Sequence, residues 1–201
     1  REDYSKSIFR IKEHLREGDT YQVNYTFRLR SHFEGDPWEL LCRMVNAQKG
    51  RYGALVSTGD WVICSSSPEL FFSLDGRELV SRPMKGTMKR GLRQEDDLHE
   101  AARLGHCEKN RAENLMIVDM VRNDMGRISE TGSVQVPAIF EVEKYPAMWQ
   151  LTSTVCSRTD ASLTEIFRAL FPPASITGAP KARTMEIISG LESSRSEERR
   201  V

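Results

Sequence analysis

The stretch "ELFFSLDGRELVSRPMKG", residues 69–86, reads as a β-hairpin. Asp75-Gly76 at its tip is a residue pair that favours a tight turn, and strand-forming apolar residues flank it on both sides. Such a hairpin commits this part of the chain to antiparallel sheet. It also puts Glu69 near the start of one strand and Lys85 near the end of its partner, where a carboxyl group and an amine can cooperate.

Upstream, "RYGALVSTGDWVICSSS" (51–67) reads as two strands around a Thr58-Gly59-Asp60 turn, and "PWELLCRMVNAQ" (37–48) as a helix opening on Pro37. "TYQVNYTFRLR" (20–30) alternates like a strand. Ile8, Ile11 and Leu15 make residues 3–17 an amphipathic helix that stops before Gly18-Asp19. Downstream, the pattern from about Asp96 to Met125 is helical, with "LMIVDMV" (115–121) apolar on most faces and so buried. Strand returns in "SVQVPAIFEVEKYPAMWQLTSTVCSRT" (133–159), and two helices follow. The second of them starts near Pro180, and the amides just before it are free to bind an anion.

Long strands mixed with helices predict an α+β fold, a sandwich built on antiparallel sheets and flanked by helices. No GxxxxGK[ST] and no βαβ alternation with GxGxxG is present, which disfavours the nucleotide-binding folds. A chain of 201 residues fits one large domain or two small ones. The tail 193–201 turns to Ser, Glu and Arg and reads as divergent or disordered. Residue 1 is Arg rather than Met, so the native start is expected to lie elsewhere.

Lys plus Arg equals Asp plus Glu at 29 each, so overall charge argues for neither nucleic acid nor an anionic membrane as partner. No apolar run approaches the roughly 18 residues of a membrane span, and the charged start is no secretory signal. The 4 cysteines and 4 histidines form neither CxxC nor HxxxH, so no zinc site or disulfide framework is signalled and a reducing cytoplasm is the expected location.

Against that neutral background "RPMKGTMKRG" (82–91) is locally basic, with Lys85 among Arg82, Lys89 and Arg90. Either this is a solvated surface patch or something anionic sits there; in the second case the crowding of cations and partial burial would both lower the pKa of Lys85. Glu69, behind Pro68 and ahead of three apolar residues, is a candidate general acid if burial raises its pKa, or else a carboxylate that receives backbone amides. Glu113 is a salt-bridged helix residue or a ligand for a hard cation such as magnesium. Asp119 and Asp124, with Arg122 between them, read as a structural ion pair. Gln22 on the first strand offers a neutral donor and acceptor.

Five segments, "GDTYQVN" (18–24), "SSSPELFF" (65–72), "RPMKGT" (82–87), "RAENLMIVDMVRND" (111–124) and "SITGAPKARTMEII" (175–188), resemble in order and separation the chorismate-binding enzymes. Within that family they are most similar to the para-aminobenzoate branch, which makes aminodeoxychorismate. The resemblance implies that Lys85 is a nucleophile, adding to the chorismate ring as its hydroxyl leaves and then being displaced by ammonia. It implies that Glu69 is the general acid for that departure and that Glu113 binds a magnesium ion clamping the ring carboxylate. Gly86, Thr87 and Ser175 match substrate-contacting positions. The resemblance also implies that 1–192 is one incomplete catalytic domain.

Gln22 stands where the water-adding relatives carry a basic lysine, which the resemblance turns into an argument for nitrogen as the entering nucleophile. The anthranilate branch, the alternative reading, typically carries alanine in place of Lys85 and a histidine in place of Gln150. A glutamine amidotransferase subunit or domain is the implied partner, supplying ammonia. The family pattern continues with an arginine and a second magnesium-binding glutamate that are not found before Val201, so a non-catalytic fragment is the third reading, and the 201-residue chain alone is expected to be inactive.

Overall fold

The computed structural model describes residues 2–192. The chain runs α1 (Glu2–Glu17), β1 (Gln22–Val23), α2 (Pro37–Gln48), β2 (Tyr52–Ser57), β3 (Val62–Ser67), β4 (Leu70–Asp75), β5 (Glu78–Arg82) and β6 (Met84–Lys89). It continues α3 (Gln94–His106), α4 (Glu108–Gly126), β7 (Gln135–Lys144), β8 (Met148–Arg158), α5 (Leu163–Leu170), α6 (Ala174–Thr177), β9 (Gly178–Ala179) and α7 (Lys181–Leu191). The tail reading falls on 193–201, outside the described residues. No helix among the described residues is long and apolar enough to cross a membrane.

The hairpin expected over 69–86 is β4–β5, paired Asp75↔Glu78 and Leu70↔Arg82, with Gly76 at φ 57° in the turn. Pro83 has no N–H to give a ladder, and it divides β5 from β6. Both nevertheless pair with the same long strand, β8, because Ser153 N donates to Pro83 O at 3.1 Å and keeps the register through the break. β7 covers the other edge of β8. The sheet is antiparallel throughout, and the remaining strands form the two pairs β2–β3 and β1–β9.

Alternate residues of β8 (Trp149, Leu151, Ser153, Val155) point to the helices, as a period of two requires. The three apolar ones divide between two clusters. One joins Leu79 and Val155 to Ile117, Val118, Val121 and Met125 of α4 and to Ile166 and Leu170 of α5. The other joins Trp149 and Leu151 to Leu104 of α3. The helical pattern over 96–125 forms two helices: Cys107, extended at φ −69° and ψ 109°, ends α3 and starts α4, so each helix sits on its own part of the sheet. The expected strand over 20–30 shrinks to Gln22–Val23, since its partner β9 is two residues long; Phe27 and Leu29 beyond it are exposed. Alternation without a paired neighbour does not hold a strand.

Asp97 of α3 fastens the far end of β6. It takes two hydrogen bonds from Arg90 (2.6 and 2.5 Å), one from the Trp149 indole (2.8 Å) and one from the Gly91 amide (3.0 Å). The Arg90 bonds lead in holding its carboxyl far below the usual carboxylate range, with the indole and the amide adding to them against desolvation. A depressed folded-state pKa contributes stability above the unfolded value, near 3.9, that is lost as pH falls below it. Asp97→Asn is therefore expected to lower the melting temperature of the protein at about pH 6, with the gap from wild type narrowing between about pH 4 and pH 2.5. Parallel melting curves across that range would contradict the assignment.

Candidate active site

The hairpin register sets Glu69 opposite the β5–β6 break. Ser67 Oγ accepts the Glu69 amide and donates to the Glu69 carbonyl, both at 3.1 Å, a local turn that aims the side chain inward. Glu69 Oε1 then accepts the Met84 amide at 3.2 Å, one residue before Lys85. The carboxyl and the amine are thus neighbours, as the hairpin predicts.

Burial pushes the Glu69 carboxyl up, against hydrogen bonds from Ser175 and Met84 and the charge of Lys85. Burial likewise pushes the Lys85 ammonium below its ordinary value, against the attraction of Glu69 and Glu113. Both shifts favour the neutral forms: a carboxylic acid that can give a proton beside an amine that can donate an electron pair.

The cation crowding read from the sequence is not what surrounds Lys85. Arg82 is turned to Glu143 and, at 3.5 Å, to Glu141; Arg90 is held by Asp97. Lys85 faces carboxylates, and desolvation lowers its pKa. The sequence shows which residues follow one another along a strand, whereas the acids that draw the arginines away come from α3 and β7.

β6 carries one extra residue between Met84↔Thr152 and Thr87↔Gln150, a bulge containing Lys85 and Gly86. Gly86 has φ 104°, and a Cβ there would lie 3.1 Å from Asn110 Cβ and 3.2 Å from Leu151 Cβ. Only glycine lets α4 approach so closely in that conformation. Thr87, exposed, donates through Oγ1 to Gln150 Oε1 at 3.1 Å, so the glutamine of the histidine position is a direct neighbour of a matched substrate position.

Glu113 is half-buried on α4, and its ion pair with Lys109 is loose at 3.9 Å. Its oxygens are therefore open to a further partner, and a hard cation that keeps its waters fits a single carboxylate of this kind. The one group of three candidate ligands among the described residues lies elsewhere, at His14, Glu17 and Asp19.

Ser175 is buried in α6 and lines, with Glu69, a cavity of about 560 Å³ that also touches Cys64, Phe71 and Asp124. Gln22 enters on β1, paired with Ala179 just beyond Ser175; its Oε1 is buried and has no hydrogen-bond partner. The expected anion-ready amides before α7 are not open. Gly178 and Ala179 pair with β1, Pro180 is the cap rather than the first helical residue, and Lys181 gives its charge to Asp124 at 2.8 Å. The expected Arg122 ion pair is made with Asp119 alone (2.7 Å), leaving Asp124 to Arg127 and Lys181.

The fold and sequence have clear relatives. The chain is 43% identical over 97% of its length to aminodeoxychorismate synthase component 1 of Klebsiella aerogenes, and 42% identical over 97% to that of Escherichia coli strain K12. It spans 44% of each of those proteins, less than half their length. The crystal structure of anthranilate synthase component I from Streptococcus pneumoniae superposes with a TM-score of 0.85 at 30% identity, covering 96% of this chain and 42% of that one. The family model for chorismate binding enzymes matches residues 1–200. This chain belongs to the chorismate-binding enzyme family.

Proposed function

We propose that this chain carries the nucleophile and the general acid of an aminodeoxychorismate synthase component I, which converts chorismate and ammonia to 4-amino-4-deoxychorismate. The observation that carries the reading is Lys85 set beside Glu69 across the hairpin, both biased towards their neutral forms. Resemblance to the alanine-bearing anthranilate branch would leave such a lysine without a task.

In the proposed reaction Glu69 gives its proton to the departing ring hydroxyl, which leaves as water while Lys85 Nζ forms a bond to the ring and the ring double bond shifts. Ammonia then bonds to the carbon that lost the hydroxyl, the double bond returns, and the Lys85 C–N bond breaks. Glu69, now a carboxylate, can take up a proton from the entering nitrogen. Gly86 and Thr87 hold the substrate beside the amine, with Gln150 retaining Thr87. Ser175 keeps the Glu69 carboxyl oriented within the shared cavity. Gln22, neutral and with an unpartnered oxygen, does not act as a base for water. Glu113 would hold a magnesium ion, whose charge would neutralise a carboxylate of the substrate. A glutamine amidotransferase subunit or domain supplies the ammonia.

The test is product identity. The full-length protein containing this chain, given chorismate, magnesium and an ammonium salt, is expected to form 4-amino-4-deoxychorismate and to release no pyruvate. Anthranilate with stoichiometric pyruvate would overturn the reading in favour of the anthranilate branch.

A further inference from the structure

We infer that Asn114 is a positioning residue that locks the Lys85 bulge to the helix bearing Glu113. This rests on the lysine-nucleophile reading above. Asn114 is 1% exposed, a polar residue on a helix face otherwise made of Ile117, Val118 and Val121. A buried amide is tolerated only where its donors and acceptor are met. Here both ends are used. Nδ2 donates to the Lys85 carbonyl (3.3 Å) and to the Leu151 carbonyl (3.1 Å), and Oδ1 accepts from Ser153 Oγ (2.6 Å).

Lys85 and Leu151 lie on β6 and β8, the strands whose register slips at the bulge. One side chain from α4 therefore ties both strands at the point where the ladder is interrupted. Ser153 extends the tie, since its Oγ also accepts the amide of Phe140, a non-glycine residue at φ 60° beside an irregularity of β7. Asn110, one helical turn before Asn114, closes over Gly86. Glu113 is the adjacent residue of α4, so the bond that fixes the Lys85 backbone also fixes the distance from Lys85 to Glu113. An apolar residue of the same size would fill the space and leave the bulge carbonyl without this donor.

The experiment uses the full-length protein and two variants. Asn114→Leu removes all three bonds while keeping the volume; Ser153→Ala keeps the two Nδ2 bonds and removes the donor to Oδ1 together with the acceptor of the Phe140 amide. Asn114→Leu is expected to lower kcat for amination by about 100-fold, the scale of a misplaced reacting group, with KM for chorismate changed by less than about threefold. Ser153→Ala is expected to show a smaller loss in kcat of about 3- to 10-fold. A second readout needs no turnover: the rate at which an amine-reactive acyl ester labels Lys85, measured by peptide mass against the other lysines, should change by about tenfold in Asn114→Leu, and amide exchange across residues 84–87 should quicken.

If wild-type protein makes no aminated product, the reading of the reaction fails, and the labelling and exchange still decide the role of Asn114. Unchanged Lys85 labelling and unchanged exchange in a folded Asn114→Leu protein would overturn the inference. So would a kcat loss that merely follows the fraction of folded protein.

Discussion

Replacing Lys85 by alanine in the full-length protein is expected to reduce amination of chorismate by on the order of 10⁴-fold or more, the scale of losing a covalent nucleophile. The geometry makes a sharper demand than loss of activity. If Nζ bonds to the ring before ammonia does, the first displacement can proceed while the second waits. Chorismate supplied with magnesium and without ammonia should then leave a covalent adduct on Lys85, seen by intact-protein mass and placed by peptide mapping. Lys85→Ala should carry none. Glu69→Gln, which cannot give up its proton, should slow adduct formation by about 100-fold, as for a lost general acid. Product formation at full rate by Lys85→Ala, or product without any adduct in a rapid-quench time course, would replace the lysine by direct attack of ammonia.

The parts of this site that were legible in the sequence are those made by neighbours along the chain. Asp75-Gly76 announces the hairpin, and the hairpin register alone brings Glu69 to Met84 and Lys85. Glu113 is legible as a carboxylate at the edge of a helix, but that helix, expected to be buried on most faces, buries one face and leaves Leu115 exposed. What sequence order obscured is the company each charge keeps. Arg82, Lys85 and Arg90 form one basic run on paper, yet Glu143 lies 61 residues from Arg82, and the two arginines turn to separate acids. Asn114 left a signal that went unread: an amide within "ENLMIVDMV" falls on the helix face that must be buried, where only a hydrogen-bonding duty keeps it.

Asp124 is a second buried polar residue of α4, and its loss is expected to be the most damaging single change to stability. Its carboxylate side chain is 9% exposed and meets two cations, Lys181 Nζ and Arg127 Nη2, each at 2.8 Å. Each cation also reaches a carbonyl in the last turn of α5, Lys181 to Leu170 O (3.1 Å) and Arg127 to Ala169 O (2.6 Å). Those carbonyls lack helical donors, so the cluster joins the end of α4, the end of α5 and the start of α7. It also walls the cavity that holds Glu69 and Ser175. Asp124→Ala leaves the Lys181 ammonium, only 16% exposed, without a counter-charge, and breaking a buried pair in this way costs about 3–5 kcal/mol. Removing both charges should cost less than removing one, because the desolvation penalty of Lys181 disappears with its partner. Denaturant unfolding of the full-length protein is therefore expected to show Asp124→Ala as the worst variant, with Asp124→Leu combined with Lys181→Met recovering most of the loss. A single-variant loss under about 1 kcal/mol would mark the pair as a surface-type contact. A double variant no better than Asp124→Ala would mean that the two side chains do not share their energy.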